Sequence, residues 1–346
     1  MSKYISQEPF IDLNSVVKHF PKNTLNDCVS KLKYRSKKDA IQSFYIGGDG
    51  IKIIKKESSK KEYIKLPKMT PIKLTEHIRF SGHILGCRII KKFNKYYVSI
   101  YVDLGEIAKK DTITNERIGV DLGIRNHITL SNGLAFNYPV SILKIKKKIK
   151  AIQRTMSKKN HPRTKDDLMT CSNNYIKCKN KIDELYEKMR NIMLDYECKV
   201  SKVLTHYYSY VCIEQLNVKA MKKKKPIARQ LQAISFYRIR KCLENKSHEY
   251  KTEIIVNENY FPSSRICSNC GNIKQELKLE DRIYKCEKCG IVIDRDINAA
   301  INLTKKVGRV TSDIKPLDLD ELIMIAKKSN INVFKIEEGK QQRIMH

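Results

Sequence analysis

The segment Ile118-Gly-Val-Asp-Leu-Gly-Ile-Arg-Asn-His-Ile-Thr-Leu130 contains two short, mainly apolar runs, at residues 117–122 and 127–130. Their length and composition predict neighbouring strands, separated by a turn at residues 123–126. Asp121 interrupts the first run. A buried carboxylate is costly unless a cation or hydrogen bonds compensate it. The segment therefore predicts a strand pair that carries an acidic group with a compensating partner.

Downstream of this segment the pattern alternates between helix and strand. Apolar residues recur at spacings of three and four at residues 142–156 and 175–196, which predicts two helices packed against each other. A strand at Tyr208–Ile213, a helix at residues 236–249 and a strand at Glu253–Val256 are predicted next. Such alternation predicts a mixed α/β sheet.

Upstream of the segment the pattern is β-like. Five short apolar runs are separated by Gly, Lys and Pro, and they predict strands at residues 43–46, 51–54, 63–66, 83–91 and 96–102. The fold class expected from the whole chain is therefore α/β, preceded by a small β-rich domain.

The charge of the chain predicts a polyanionic partner, with nucleic acid as the first candidate. Lys and Arg total 69 against 37 Asp and Glu, which gives a formal net charge of +32. Lysine runs at Lys144–Lys150 and Lys222–Lys225 suit a phosphate backbone. The alternatives are genomic base bias for the composition, and a solvated helix face and a flexible loop for the two runs.

Other function classes are disfavoured by the apolar pattern. The longest apolar stretches are strand-sized, well short of a membrane span, and residues 1–10 lack the core of a signal peptide. We therefore expect an intracellular protein without a membrane partner.

Four of the eleven cysteines form two pairs, Cys267-Ser-Asn-Cys270 and Cys286-Glu-Lys-Cys289, with fifteen residues between them. Two such pairs can present four thiolates to one tetrahedral zinc ion. A redox disulfide pair is the alternative, and two matched pairs disfavour it. Because sulfur fills all four positions, this zinc would be structural and not catalytic. A glycine follows each pair, where the absence of a side chain is expected to leave room for the metal: Gly271 and Gly290.

Two further carboxylates stand out beside Asp121. Glu214 ends the strand Tyr210-Val-Cys-Ile-Glu214, and Asp296 precedes an Ala-rich helix predicted at residues 297–305. Each of the three also has an ordinary interpretation: a strand-end Asp bonded to a turn, a surface Glu, and a helix N-cap.

The motifs GVDLGIRNHITL, CIEQLNVKAM, FPSSRICSNCG, CEKCG and DRDINAAINL occur in the same order and rough spacing as in the TnpB proteins of bacterial insertion sequences. The chain resembles this family, which is similar to the type V CRISPR effector nucleases, from about Leu32 to Lys305. The resemblance implies an RNase H-like (RuvC-like) fold with an inserted zinc ribbon.

The resemblance also implies roles for the three acids. Asp121, Glu214 and Asp296 match the family's catalytic carboxylates, and Asp294 ranks second for the third position. Carboxylate oxygens suit Mg²⁺, and a pair of such ions would activate a water and stabilise the leaving oxygen during cleavage of a DNA phosphodiester. DNA and a guide RNA are the partners implied.

The domain organisation expected on this basis has a β-rich nucleic-acid-binding domain at residues 1–112. The RuvC-like domain follows in two parts, residues 113–265 and 291–307, with the zinc ribbon at 266–290 between them. Residues 308–346 form a tail without an assigned role. Met1 is expected to align part-way into the family's amino-terminal region, with about a hundred family residues missing or replaced.

Three functions remain open on the sequence. The first is an RNA-guided DNA endonuclease that acts in DNA transposition or recombination. The second is a catalytically inactive nucleic-acid-binding accessory protein of a mobile element. The third is a basic structural nucleoprotein, which would need neither a divalent metal nor three separated carboxylates.

Overall fold

The computed structural model describes residue 14 and residues 41–55, 61–79, 81–92, 95–106, 108–123, 126–161, 170–215, 236–258, 261–277, 281–305 and 319–336. The chain divides into two compact units, Met1–Ile107 and Ala108–His346. The lysine run predicted at 222–225 lies outside the described residues. No helix in the described part of the chain combines the length and apolar character needed to cross a membrane.

Unit 1 consists of two small antiparallel sheets. One has the order β1-β5-β6 and the other β2-β3-β4. The strands are β1 (Ile41–Gly47), β2 (Lys52–Lys55), β3 (Glu62–Lys65), β4 (Ile72–Lys73), β5 (His83–Lys92) and β6 (Lys95–Asp103). Ile46, Ile64, Leu66 and Cys87 lie in their shared core. The five predicted strands are confirmed. The pattern missed β4, whose two exposed residues are too few to show alternation.

Unit 2 is built on one mixed six-stranded sheet with the order β11-β10-β7-β8-β9-β14. Its strands are β7 (Thr114–Leu122), β8 (Ile128–Leu130), β9 (Leu134–Phe136), β10 (Tyr208–Ile213), β11 (Glu253–Val256) and β14 (Val333–Lys335). β7, β8 and β9 form an antiparallel meander, and β10 is parallel to both β7 and β11. The predicted mixed α/β sheet is confirmed.

The helices of unit 2 cover this sheet. They are α1 (Val140–Ser157), α2 (Asn173–Tyr207), α3 (Phe236–Ser247), α4 (Arg295–Lys305) and α5 (Leu319–Lys328). A separate antiparallel hairpin consists of β12 (Ile283–Lys285) and β13 (Val292–Asp294).

The periodic stripe on α1 explains how that helix packs. Ile142, Ile145 and Ile149 are buried against α2 and the sheet, whereas the lysines between them are exposed. At the start of α2, the Ser172 hydroxyl caps the helix by accepting a hydrogen bond from the Tyr175 N–H at 3.3 Å. The lysines of α1 are exposed to solvent. Exposure alone does not show that they bind phosphate, so that role stays a prediction.

The carboxyl-terminal region, which was given no role from the sequence, contributes to the core of unit 2. β14 extends the sheet by pairing with β9, and Leu322 and Ala326 of α5 are fully buried. The sheet edge at β9 is thereby covered by a strand that lies almost 200 residues away in the sequence.

Helix α4 lies unusually close to strand β7. A Cβ atom added at Gly119 would clash with the carbonyl oxygen of Ala300 and would lie 3.0 Å from Thr304 Cγ2. Ala299 and Ala300 are buried at this contact, where larger side chains would hold the helix away. Glycine on the strand and alanine on the helix together permit the close approach.

Gly119→Ala should therefore destabilise unit 2. The added methyl group meets backbone atoms that cannot rotate away, so we expect a loss of about 1–3 kcal/mol or more, as for other overpacked cores. Urea-induced unfolding measures the change. Gly105→Ala is the comparison for backbone strain alone, because its methyl group would meet open space and a positive φ costs about 1–2 kcal/mol. A Gly119→Ala midpoint equal to the native one would contradict the close contact.

Candidate functional site

The four paired cysteines converge on one point. Their sulfur atoms all lie within 4.8 Å of one another, with 3.6 Å between Cys267 and Cys289 and 3.5 Å between Cys270 and Cys286. A tetrahedral zinc site with Zn–S bonds of about 2.3 Å places its sulfurs about 3.8 Å apart. The spacing fits one metal ion such as zinc without rearrangement of the backbone.

The two cysteine turns have the same backbone hydrogen bonds. In the first, Cys267 N–H donates to Asn272 at 2.8 Å and Gly271 N–H donates to Cys267 at 3.0 Å. In the second, Cys286 N–H donates to Ile291 and Gly290 N–H donates to Cys286, both at 3.0 Å. The repeated pattern shows that each C-x-x-C-Gly sequence forms the same ligand-presenting turn.

The glycines of these turns have an unusual backbone conformation. Gly271 and Gly290 have φ of +75° and +73°, and a Cβ atom added at either would meet no other protein atom within 4 Å. Glycine is favoured because the turn needs a left-handed backbone conformation. That glycine also leaves room for the metal stays a prediction.

The electrostatics of the second turn favour thiolates. Hydrogen bonding from the backbone N–H of Ile291 lowers the pKa of Cys289 to about 6, and the N–H of Cys289 lowers that of Cys286. The thiolate is the form that binds metal.

Tyr284 is fully buried beside the site, and its hydroxyl donates to the Arg265 carbonyl at 3.1 Å.

The first two predicted acids lie on adjacent parallel strands. Ile213 of β10 pairs with Val120 of β7. Glu214 follows Ile213 and Asp121 follows Val120, so the two acids lie level with each other at the ends of the paired segments. Side chains at the carboxyl ends of parallel strands face the crevice where ligands commonly bind in α/β sheets. Both acids are half-buried.

Asp296 approaches these two acids from α4, and their pKa values show the proximity. Burial raises the pKa of Asp121 well above its usual range, and the charges of Glu214 and Asp296 raise it further, whereas Arg295 opposes the shift. Burial raises the pKa of Glu214 to about 7, although the backbone N–H of Leu122 bonds to its carboxylate, and Asp296 adds to the increase. Burial and mutual repulsion thus oppose the ionisation of this cluster, and the protein offsets them only in part.

Asp294 and Asp296 are distinguished by their hydrogen bonds. The carboxylate of Asp294 accepts the N–H groups of Asp296 and Ile297 at 2.9 and 3.2 Å, so Asp294 is the N-cap of α4. The interpretation of Asp296 as an N-cap is therefore wrong, because the helix begins two residues earlier than the sequence pattern indicates. Asp296 lies in the first turn, with Arg295 Nε 3.5 Å from its carboxylate.

The three acids are gathered less tightly than the cysteines. Within the described residues, only the four cysteines form a group of three or more side chains compact enough to hold one ion. The acids interact electrostatically without meeting at a single point. Carboxylates that straddle two ions about 3.5–4 Å apart need no such single point.

Sequence reasoning missed the residues that join the cysteine turns to the acidic cluster. Asn298 and Asn302 of α4 are buried and bond to the backbone around the first cysteine turn. The motif DRDINAAINL shows the two asparagines four residues apart, a spacing that places them on one helix face. Two amide side chains at this spacing in an Ala-rich helix were the signal that could have identified them.

The fold and the two clusters define a mixed α/β protein with four cysteines that could hold a metal ion and with an acidic strand edge. Two family models match it: OrfB_IS605, described as "Probable transposase", over residues 99–225, and "Cas12f1-like, TNB domain" over residues 236–303. The second region contains the four cysteines and Asp296.

Named relatives agree with these models. A "Putative RNA-guided DNA endonuclease" of Streptomyces pristinaespiralis is 31% identical over 199 residues, which are 56% of this chain and 47% of the relative. "TnpB-like protein L79" of Acanthamoeba polyphaga mimivirus is 31% identical over 217 residues, 58% of this chain and 39% of the relative. The matched part thus spans half or less of these relatives. The family models and the relatives together support a TnpB-like family for this chain.

A solved structure is similar in fold. The protein in the "Cryo-EM structure of the Cas12f1-sgRNA-target DNA complex" superposes with a TM-score of 0.53 at 17% identity, over 79% of this chain and 66% of that one. At this identity the likeness concerns the fold alone.

We expect about one metal ion per chain at the cysteine site, because four converging thiolates supply binding energy that also stabilises the surrounding turns. Cys286→Ser should reduce the metal content strongly, as measured by elemental analysis of purified protein. Cys171→Ser is the matched control, since Cys171 is exposed and outside the cluster. Folded native protein free of metal would contradict the assignment.

Proposed function

We propose that the chain is a Mg²⁺-dependent, RNA-guided DNA endonuclease of a mobile element, acting in DNA transposition or recombination. The observation that carries the proposal is that Asp121, Glu214 and Asp296 lie near one another at one sheet edge, where the charges of Glu214 and Asp296 oppose the ionisation of Asp121. Such a cluster is costly to the fold and suits divalent cations. The names of the relatives agree with this activity.

The sheet supports an RNase H-like (RuvC-like) assignment. An antiparallel meander of β7, β8 and β9 is followed by two strands, β10 and β11, parallel to β7. The first and fourth strands carry Asp121 and Glu214, and α4 brings Asp296 across the sheet. The cysteine hairpin lies in the sequence between β11 and α4, as expected for a ribbon inserted late in a RuvC-like domain.

The three carboxylates would hold Mg²⁺ through their oxygens, and their partial exposure leaves the edge open to a phosphodiester. When bound, Mg²⁺ supplies a water nucleophile and stabilises charge on the leaving oxygen. The protein's part is to hold the carboxylates in place: the Leu122 N–H bonds to Glu214, and Arg295 partly balances the charge of Asp296. The four-cysteine site would hold zinc with no position open for water, so its role is structural.

Nucleic-acid binding by unit 1 is supported by the outer face of the sheet β1-β5-β6. Tyr45 and Tyr101 lie side by side there, with ring centroids 5.8 Å apart, and the Arg88 guanidinium lies 5.9 Å from the Tyr45 ring. Tyr97 and Tyr101 are 47% and 44% exposed. Exposed aromatic rings interleaved with basic groups suit the stacking of unpaired bases and contact with phosphates. The net charge of +32 adds a general attraction.

The accessory-protein alternative shares the fold, the zinc and the charge with the nuclease. It differs in having no use for ionised acids at the sheet edge, and cleavage assays separate the two functions.

Asp121→Asn and Asp296→Asn should each abolish Mg²⁺-dependent cleavage of plasmid DNA by the protein with its co-purifying RNA. DNA affinity should stay nearly unchanged, because it comes from many dispersed basic groups. Asp294→Ser is the matched control: serine preserves the N-cap but removes the charge, so cleavage should persist. Cleavage at the native rate by Asp121→Asn would refute the triad. A native chain that binds but never cuts would favour the accessory protein.

The raised pKa of Glu214 predicts a pH-dependent metal response. The metal-free folded chain keeps this proton up to about pH 7, whereas an ordinary Glu releases it near 4.5. The metal-free fold therefore loses stability relative to the unfolded chain as pH rises from about 4.5 to about 7. Bound Mg²⁺ should restore that stability, because it balances the charge of the ionised carboxylate. Thermal unfolding should show Mg²⁺ stabilisation that grows as pH rises through about 7. Glu214→Gln should weaken this trend, although Asp121 also has a raised pKa and would still contribute to it. An unchanged trend would exclude Glu214 as one of its sources.

A further inference from the structure

The two metal-binding clusters are connected by side chains on a single face of α4. Asn298, Asn302 and Lys305 follow one another at helical spacing, and all three bond to the backbone of the first cysteine turn or of the residues that lead into it. Asn298 and Asn302 are 0% and 3% exposed. Neither asparagine has a part in the chemistry assigned to the acids or the cysteines.

Asn298 contacts the backbone at two points around a metal ligand. Its Oδ1 accepts the N–H of Ser268 at 2.8 Å, and its Nδ2 donates to the carbonyl of Ile266 at 2.8 Å. These two residues flank Cys267. A side-chain amide offers a donor and an acceptor together, whereas an ionised carboxylate cannot donate and a hydroxyl is too short to span both groups.

Two further side chains strengthen this connection. Asn302 Nδ2 donates to the carbonyls of Ser263 and Ile266 at 2.8 and 2.6 Å, and the ammonium of Lys305 donates to the Ser268 carbonyl. The opposite face of α4 is packed against Gly119 of β7. The helix is thus held between the cysteine turn and the strand that carries Asp121, and Asp296 lies in its first turn.

We propose that Asn298 and Asn302 are positioning residues that link metal occupancy at the cysteine site to divalent-cation binding at the acidic cluster. The inference rests on the proposed function of that cluster. A metal held by Cys267 fixes the backbone on both sides of it, and the asparagines transmit this order to α4 and Asp296. Loss of that metal makes the first cysteine turn mobile, and the carboxylate of Asp296 can then move away from those of Asp121 and Glu214. Linkage of this kind is reciprocal.

The test measures Mn²⁺ binding to RNA-free full-length protein by electron paramagnetic resonance, which does not depend on cleavage. Binding that Asp121→Asn removes is assigned to the acidic cluster. Stripping zinc with a chelator should weaken this binding about 5- to 150-fold, the usual range for coupled sites. Asn298→Ala should weaken it similarly while zinc is present, and stripping zinc from that variant should add little.

Leu303→Ala is the control for a merely structural effect. Leu303 is fully buried on the same helix and cannot hydrogen-bond to the cysteine turn, so its loss should lower thermal stability but leave Mn²⁺ affinity within about twofold. Should Asn298→Ala fold poorly, Asn298→Asp keeps the acceptor for the Ser268 N–H but replaces the donor with a charged oxygen that repels the Ile266 carbonyl, so Mn²⁺ binding should still weaken.

Two results would overturn the linkage but would leave the proposed function unaffected. One is native Mn²⁺ affinity in either Asn298 variant. The other is an equal effect of zinc removal in native protein and Asn298→Ala, since the asparagine would then transmit nothing. If Asp121→Asn leaves Mn²⁺ binding intact, the acidic cluster is not a cation site, and both the proposed function and the linkage fail.

Discussion

The close contact between α4 and β7 is the constraint on which the arrangement of the acids depends. Asp121 lies two residues beyond Gly119 on the strand, about 6.6 Å along it at the usual rise per residue. Asp296 lies four residues before Ala300, about 6 Å along the helix axis. Because the helix touches the strand at Gly119 and Ala300, both acids lie within a short distance of the contact along their own elements, and the charge of Asp296 acts on Asp121.

The packing of α4 against β7 stabilises the fold, whereas the repulsion between the neighbouring carboxylates destabilises it. Burial raises the pKa of Asp121 and Glu214, and each neighbouring carboxylate adds to the cost of ionisation. Arg295 offsets the repulsion only in part. A fold optimised for stability alone would replace one of these acids with an apolar residue, so the retained charge indicates a use for it.

Periodicity and spacing predicted most of the elements, and long-range contacts account for what they missed. The strand Tyr208–Ile213 and the cysteine site follow from local signals that survive in any tertiary context. The N-cap role of Asp294 does not, because β13 continues directly into α4 and no turn residue marks the boundary. The pairing of β14 with β9 was equally hidden, since a three-residue strand acquires its place only from a partner far away in sequence.

The same direct connection explains why the cysteine hairpin and the acidic cluster behave as one assembly. β13 ends at Asp294, whose carboxylate caps α4, so no flexible residue separates the metal-binding hairpin from the helix that carries Asp296. The first cysteine turn reaches the same helix from the other side through Asn298. A helix fixed at its start by the hairpin and along its face by the turn cannot rotate independently of either. The geometry of the four-cysteine cluster is in this way imposed on the position of Asp296.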